Sequence, residues 1–349
     1  MWIENEVIKR DLDALMEQGI DFSAFDGKRV LITGATGLIG SNLVNALLYY
    51  GLHRDNPPTV LALIRSKDKA RRVFAAQIEQ CPNLKLVQGD VTTLSLPDTE
   101  VDYIIHAASQ TASRAFVDTP VETILTTLEG TRNMLELCRE KGARMVYLSS
   151  MEVYGTPERG HRVTEEEIGA LLPTKVRNCY PLSKQMAECL CASYAAEYGV
   201  ACSILRLTQT FGPGVAYQDG RVFAEFARCA LEGRDIVLKT KGETRRSYLY
   251  TADAVSAVVT VLLRGKAGEA YTAANEDTFC SIYEMAQTVC HELADDRISV
   301  RIEPCDVEKL GYAGTLFMDL DTGKLRSLGW RAVYGLSEMY RSMAKTMQA

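Results

Sequence analysis

A glycine-rich turn set between a strand and a helix constrains this chain more than any other stretch. Lys28-Arg29-Val30-Leu31-Ile32-Thr33 reads as a short buried strand, and Ser41-Asn42-Leu43-Val44-Asn45-Ala46-Leu47-Leu48 reads as a helix. Between them runs Gly34-Ala35-Thr36-Gly37-Leu38-Ile39-Gly40. Glycines at these intervals permit a tight turn and bring a pyrophosphate against backbone N–H groups at the helix N-terminus. The bland alternative is a tight strand-to-helix turn without a ligand. The flanking elements favour a dinucleotide site whose first contacts are Gly34, Thr36, Gly37, Leu38, Ile39 and Gly40.

The following stretches extend that cleft. The second strand, Thr59-Val60-Leu61-Ala62-Leu63-Ile64, ends at Arg65-Ser66, where a carboxylate for the adenosine ribose is the usual expectation. Arg65, with Lys67, Arg71 and Arg72 behind it, suits a 2′-phosphate instead, so NADP stands as the alternative to NAD; Asp68 keeps the choice open. A strand at Leu84-Lys85-Leu86-Val87 leads to Asp90 and Val91, and one at Val101-Asp102-Tyr103-Ile104-Ile105 leads to His106-Ala107-Ala108-Ser109. Asp90 can accept from an adenine amino group, and Ala107 and Ala108 let a cofactor lie against the backbone; Val91 and Ser109 complete this set. His106 reads as a satisfied core histidine rather than a base. Strand–helix alternation predicts a Rossmann-type doubly wound parallel sheet, with ligands at the carboxyl ends of its strands.

Arg144-Met145-Val146-Tyr147-Leu148-Ser149-Ser150 is the next strand, and its carboxyl end carries Ser150. A helix pattern then opens at Tyr180-Pro181-Leu182-Ser183-Lys184, where Pro181 suits the first turn. Residues four apart share a helix face, so Tyr180 and Lys184 can point at one spot. A free tyrosine has a pKa of roughly 10 and is a poor base near neutrality. A neighbouring cation favours the phenolate. With the Ser150 hydroxyl, the three groups can move a proton on and off a substrate alcohol. Alone, such spacing also describes an ordinary helix with an exposed lysine.

The chain's 349 residues exceed one typical core. We read residues 1–27 as a helical appendage for packing or oligomer contact, and 28–205 as the NAD(P)-binding domain. Residues 206–349 form mainly a smaller mixed α/β substrate lobe, with some segments returning to the first domain. A net charge of −6 argues against nucleic acid or an anionic membrane surface as partner. The acidic N-terminus lacks signal-peptide character, and ten scattered cysteines suit a reducing cytoplasm. No Cys-x-x-Cys occurs and the four histidines stand apart, which gives a metal site little support.

Several segments stand together in a telling order: the glycine turn, His106-Ala107-Ala108-Ser109, Ser149-Ser150-Met151-Glu152-Val153-Tyr154-Gly155 and Tyr180-x-x-x-Lys184. Arg206-Leu207-Thr208-Gln209-Thr210-Phe211-Gly212-Pro213 and Arg246-Ser247-Tyr248-Leu249-Tyr250 follow. Over about residues 28 to 340 the chain resembles the extended short-chain dehydrogenase/reductase family, in its nucleotide-sugar epimerase/dehydratase branch. The resemblance implies a nicotinamide cofactor, a nucleoside-diphosphate sugar and a homodimer built on the helices near residues 121–141 and 180–198. It implies that Tyr180 takes the proton of the sugar's 4-hydroxyl while hydride passes to the nicotinamide. Ser150 would bond the same oxygen, and Lys184 would hold the nicotinamide ribose and lower the tyrosine pKa. By position, Gln209 and Arg246 face the diphosphate, and a guanidinium fork suits that task.

Two departures from the family bear on the reaction. Gln209 stands where asparagine is usual. Ser150-Met151-Glu152 replaces Thr-Asp-Glu of the 4,6-dehydratases and Thr-Ser-Glu of the sugar-acid decarboxylases. Met151 would touch substrate but cannot protonate a leaving hydroxyl, while Glu152 is retained for a proton at C5. The plain alternative for Glu152 is a loop carboxylate paired with a nearby arginine. Arg246-Ser247-Tyr248 resembles the decarboxylase segment. The leading expectation is an NAD-dependent C4 epimerase. The alternatives are a dehydratase, a UDP-glucuronate-type decarboxylase, an NADPH-dependent keto-sugar reductase and a non-catalytic NAD(P)-binding protein. Sugar and base selectivity are expected in loops at 216–221 and 312–317.

Overall fold

A computed structural model describes residues 3–158, 160–304 and 315–347. Residues 312–314 of the second expected selectivity loop lie outside this set. The strands, in chain order, are β1 Arg29–Thr33, β2 Thr59–Ile64, β3 Leu84–Gln88, β4 Tyr103–His106, β5 Arg144–Ser150, β6 Ala201–Leu207 and β7 Gln209–Phe211. Then come β8 Ile236–Leu238, β9 Arg245–Tyr250, β10 Ala270–Ala273, β11 Asn275–Ser281, β12 Val300–Ile302 and β13 Phe317–Met318.

Seven strands form one parallel sheet in the order β10-β6-β5-β4-β1-β2-β3. The period of two along each strand builds both faces. Val30 and Ile32 of β1 enter one core with Val60, Ala62, Val146 and Leu148, while Leu31 enters the opposite core with Leu61, Ile104, Met145 and Tyr147. Helices cover both faces, and that is why these strands are almost continuously apolar. The sheet is the doubly wound type expected. The strand order reverses between β1 and β4, which places the main crevice there.

The remaining strands make a smaller mixed unit. β9 pairs antiparallel with β11 and parallel with β13 and β7, and β8 pairs with β12. Helices Val222–Glu232, Ile282–Ala294 and Leu336–Met347 contribute Phe223, Phe226, Met285, Val289, Met339 and Tyr340 to a third core. β10 returns to the large sheet beside β6.

The N-terminal helix Glu6–Glu17 is capped by Asn5, whose side chain accepts from the Val7 and Ile8 N–H groups at 3.0 and 3.3 Å. Its Leu12 and Leu15, with Ile3 just ahead of the helix, are buried in the chain's own core. Asp11 lies beneath it and accepts from the Tyr250 hydroxyl at 2.5 Å. Of the two roles expected for residues 1–27, the structure displays packing. No helix among the described residues is long and apolar enough to cross a membrane.

Candidate active site

The glycine turn folds as its spacing requires. Gly34 takes φ +65°, and a Cβ there would sit 2.8 Å from the Ala107 carbonyl carbon. A Cβ on Gly40 would lie 2.2 Å from the Gly34 carbonyl oxygen, so only glycine closes this turn. The helix Leu38–Gly51 starts at Gly37 with no side-chain cap, leaving its first N–H groups directed into the crevice. The cradle and the uncapped helix end fit a pyrophosphate.

The crevice is a cleft of 910 Å³ running along the carboxyl ends of β1, β2, β4 and β5. Every position expected to contact the cofactor lines it: the glycine turn, Arg65, Asp90, Val91, Ala107, Ala108 and Ser109, with Tyr180 and Lys184. At the β2 end Lys69 joins Arg65, while Asp68 lies 3.8 Å from Arg71. Asp90 Oδ1 accepts from the Thr92 N–H and hydroxyl at 2.9 and 2.7 Å. These bonds, with lesser help from Arg65, hold its carboxyl below the usual range. His106 is enclosed, with its ring nitrogens 2.8 Å from Thr33 Oγ1 and 3.2 Å from Thr131 Oγ1. Burial, and secondarily the Lys184 charge, pulls it down to about 3, so it is a neutral core histidine as read.

Ser150 closes β5, and its hydroxyl oxygen accepts from the Glu152 N–H at 3.2 Å. Tyr180 and Lys184 share one face of the helix Cys179–Tyr198 and line the cleft beside Ser150. The Lys184 ammonium donates to the Leu148 carbonyl at 2.8 Å and lies 5.9 Å from the Tyr180 ring. Burial pulls Lys184 down to about 7, with Glu188 opposing. The depressed phenol expected from Lys184 is not what the chain's own groups produce. Burial and the Glu152 charge raise Tyr180 well above its ordinary value, and the groups that lower it are Ser150 and Arg177. Desolvation outweighs both.

Glu152 adopts the plain alternative. Arg177 Nη1 and Nη2 donate to its two carboxylate oxygens at 2.9 and 3.2 Å, and both residues line the cleft. Arg177 stands on the short turn Val176–Asn178 just ahead of Tyr180, with its guanidinium 4.8 Å over the Phe116 ring. Phe116 in turn stacks on Tyr180 at 4.3 Å and 10°. Met151 is buried against Val153, Tyr154 and Met318, and the Thr208 hydroxyl lies 3.2 Å from its sulfur. On the lobe side, Arg246 Nη1 donates to Gln209 Oε1 at 3.0 Å, and both line the cleft. Arg246 Nε is buried without an acceptor among the described residues, as is the Tyr248 hydroxyl.

Behind the site lies a buried ion pair. Arg206 of β6 donates to Glu188 at 2.7 and 3.1 Å, and Glu188 also accepts from the Ser149 hydroxyl at 2.5 Å. Sequence reading missed Arg177, Phe116 and this pair. Two signals were available: Glu188 stands four residues after Lys184 on the same helix, and a charge within the apolar strand β6 requires a partner.

The sequence profile described as the NAD dependent epimerase/dehydratase family matches residues 30–275. UDP-glucuronic acid decarboxylase 1 of Xenopus tropicalis is 34% identical over 237 residues, covering 68% of this chain and 54% of its own length. UDP-glucuronic acid decarboxylase 6 of Arabidopsis thaliana is 33% identical over 264 residues, covering 75% of this chain and 73% of its own. Among solved structures, the dTDP-glucose 4,6-dehydratase DesIV of Streptomyces venezuelae, with NAD bound, aligns at a TM-score of 0.75 and 26% identity. That alignment covers 92% of this chain and 97% of DesIV.

Proposed function

The chain belongs to the NAD-dependent epimerase/dehydratase family, and from that premise we propose that it decarboxylates a nucleoside-diphosphate uronate through a 4-keto intermediate. The observation that carries this reading is Met151 between Ser150 and Glu152. A buried thioether offers no proton to a leaving hydroxyl, which speaks against water loss across C5–C6. Loss of CO2 needs no such acid. The similarity to UDP-glucuronic acid decarboxylases supports the same choice over the epimerase that the sequence reading placed first.

NAD, when bound, would supply the hydride acceptor for oxidation at C4 and the donor for the return step. The glycine turn would hold its pyrophosphate, and Lys184, anchored on the Leu148 carbonyl, would meet the nicotinamide ribose. Tyr180 removes the O4 proton, and Ser150 hydrogen-bonds that oxygen. With C4 a ketone, the C6 carboxylate belongs to a β-keto acid. The C5–C6 bond breaks, its electron pair passes into the C4 carbonyl, and CO2 leaves. Tyr180 and Ser150 stabilise the enolate oxygen. C5 then takes one proton from solvent, relayed by Glu152, two residues after Ser150. Gln209 and Arg246 grip the diphosphate.

Epimerisation at C4 remains the second reading, because Arg177 occupies both Glu152 oxygens and an epimerase needs no C5 chemistry. Incubating NAD-loaded protein with UDP-glucuronate separates the two by mass spectrometry. A product lighter by one CO2 is expected. A product of unchanged mass favours the epimerase, and consumption of added NADPH without CO2 loss overturns both.

The same reading includes a homodimer through the helices Pro120–Lys141 and Cys179–Tyr198. Their outer faces leave Val121, Leu125 and Met186 exposed at 59, 45 and 53%. Light scattering is expected to give twice the 38.6 kDa of one chain; a single-chain mass at micromolar concentration would sink the dimer.

A further inference from the structure

We propose that Arg177 is the residue that selects an acidic sugar, exchanging Glu152 for the substrate's own carboxylate when the sugar binds. The inference rests on the proposed uronate reaction and deepens it.

Among the described residues six cations line the cleft, and they differ in place and partner. Arg65 and Lys69 stand at the β2 end, remote in the fold from the strand that carries Ser150. Lys184 is enclosed and anchored on the Leu148 carbonyl. Arg221 is paired with Asp219 at 2.6 Å, and Arg246 leans on Gln209 at 3.0 Å in the second lobe. Arg177 alone of the six presents its fork to a carboxylate beside the Tyr180 column. Its guanidinium lies over Phe116, and Phe116 lies flat on Tyr180, so one stack fixes the fork relative to the phenol. Its side chain and that of Glu152 remain 27 and 31% exposed, open to a ligand in the cleft.

The chemistry of the pair favours exchange. A guanidinium fork matches a carboxylate bidentately, and Glu152 already demonstrates that fit at 2.9 and 3.2 Å. A second carboxylate of the same shape competes on equal terms. Once displaced, Glu152 is released beside C5, where the proposed reaction has a proton to handle. A neutral hexose offers nothing to the fork, and the Arg177–Glu152 pair stays shut. Selection and release of the proton carrier for C5 are then one event.

Binding tests the exchange, because the two partners must act with opposite sign. Calorimetry on NAD-loaded protein, in a Tyr180→Phe background that stops turnover, compares UDP-glucuronate with UDP-glucose. Arg177→Met is expected to weaken UDP-glucuronate by roughly 10- to 100-fold, the worth of a charge-assisted bidentate contact, and to leave UDP-glucose within about twofold. Arg177→Lys keeps the charge without the fork and recovers part of the loss. Glu152→Gln removes the competitor, so UDP-glucuronate binds more tightly. A preference for the acidic sugar that survives Arg177→Met overturns the proposal, and so does a Glu152→Gln variant that binds it more weakly. If CO2 loss is observed with wild-type protein while either occurs, only the role of Arg177 falls; absence of CO2 loss removes the reaction itself.

Discussion

Tyr180→Phe is expected to cut turnover by roughly a hundred- to ten-thousand-fold while leaving fold and NAD content unchanged. The substitution deletes one oxygen and nothing else. Tyr180 is 6% exposed, and its ring stacks on Phe116 at 4.3 Å, a contact phenylalanine reproduces. The phenol therefore adds chemistry rather than packing. Burial and Glu152 keep it protonated in the chain's own field, so it becomes a base only when the reacting hydroxyl and the cofactor's positive charge share the cleft. Ser150 and Arg177 then act in the direction that bound cofactor reinforces. Single-turnover kinetics with NAD-loaded protein, alongside thermal unfolding, measures both halves of the expectation. Retention of more than about a tenth of the wild-type rate would remove Tyr180 from the proton path.

That site was partly legible because its parts are local. The glycine turn declares itself within seven residues, and Tyr180 and Lys184 sit one helical turn apart. The parallel, doubly wound character of the sheet followed from the alternation of elements. What stayed hidden is what the fold brings together from a distance. Glu152 and Arg177 are 25 residues apart across a loop with no periodic pattern, and Phe116 reaches Tyr180 from the four-residue helix Ala115–Asp118. β11 also escaped notice, because its register shifts between Asn275 and Cys280 and breaks the alternation that marks a strand. The electrostatic expectation failed for a related reason. Spacing placed a cation near the tyrosine, but the sign of the net shift depends on burial, and spacing says nothing about burial.

Burial also makes the loss of Glu188 costly in stability. Its side chain is 9% exposed and that of Arg206 is 8% exposed. Among the described residues, Glu188→Leu leaves the Arg206 guanidinium with the Glu165 carbonyl at 2.9 Å and the Tyr154 ring at 4.9 Å. A buried charge stripped of its partner typically costs about 3–5 kcal/mol. The double variant Glu188→Leu with Arg206→Met should regain most of that, because a well-packed apolar pair can replace a buried ion pair. The single change also reaches the active site. Burial holds Lys184 at about 7 with Glu188 pulling it upward, so losing Glu188 lowers it further and leaves the amine neutral at pH 7. The sign for stability follows from the same shift. A lysine depressed from 10.5 to about 7 binds fewer protons folded than unfolded between those values. Its contribution is therefore present above the unfolded value and lost as pH falls through the folded one. In Glu188→Leu that loss continues to lower pH. Denaturant unfolding at pH 6, 7 and 9 should show the single variant losing more of its pH 9 stability at pH 6 than wild type does. A cost below about 1 kcal/mol at every pH would mean that the pair does not hold β5 in place.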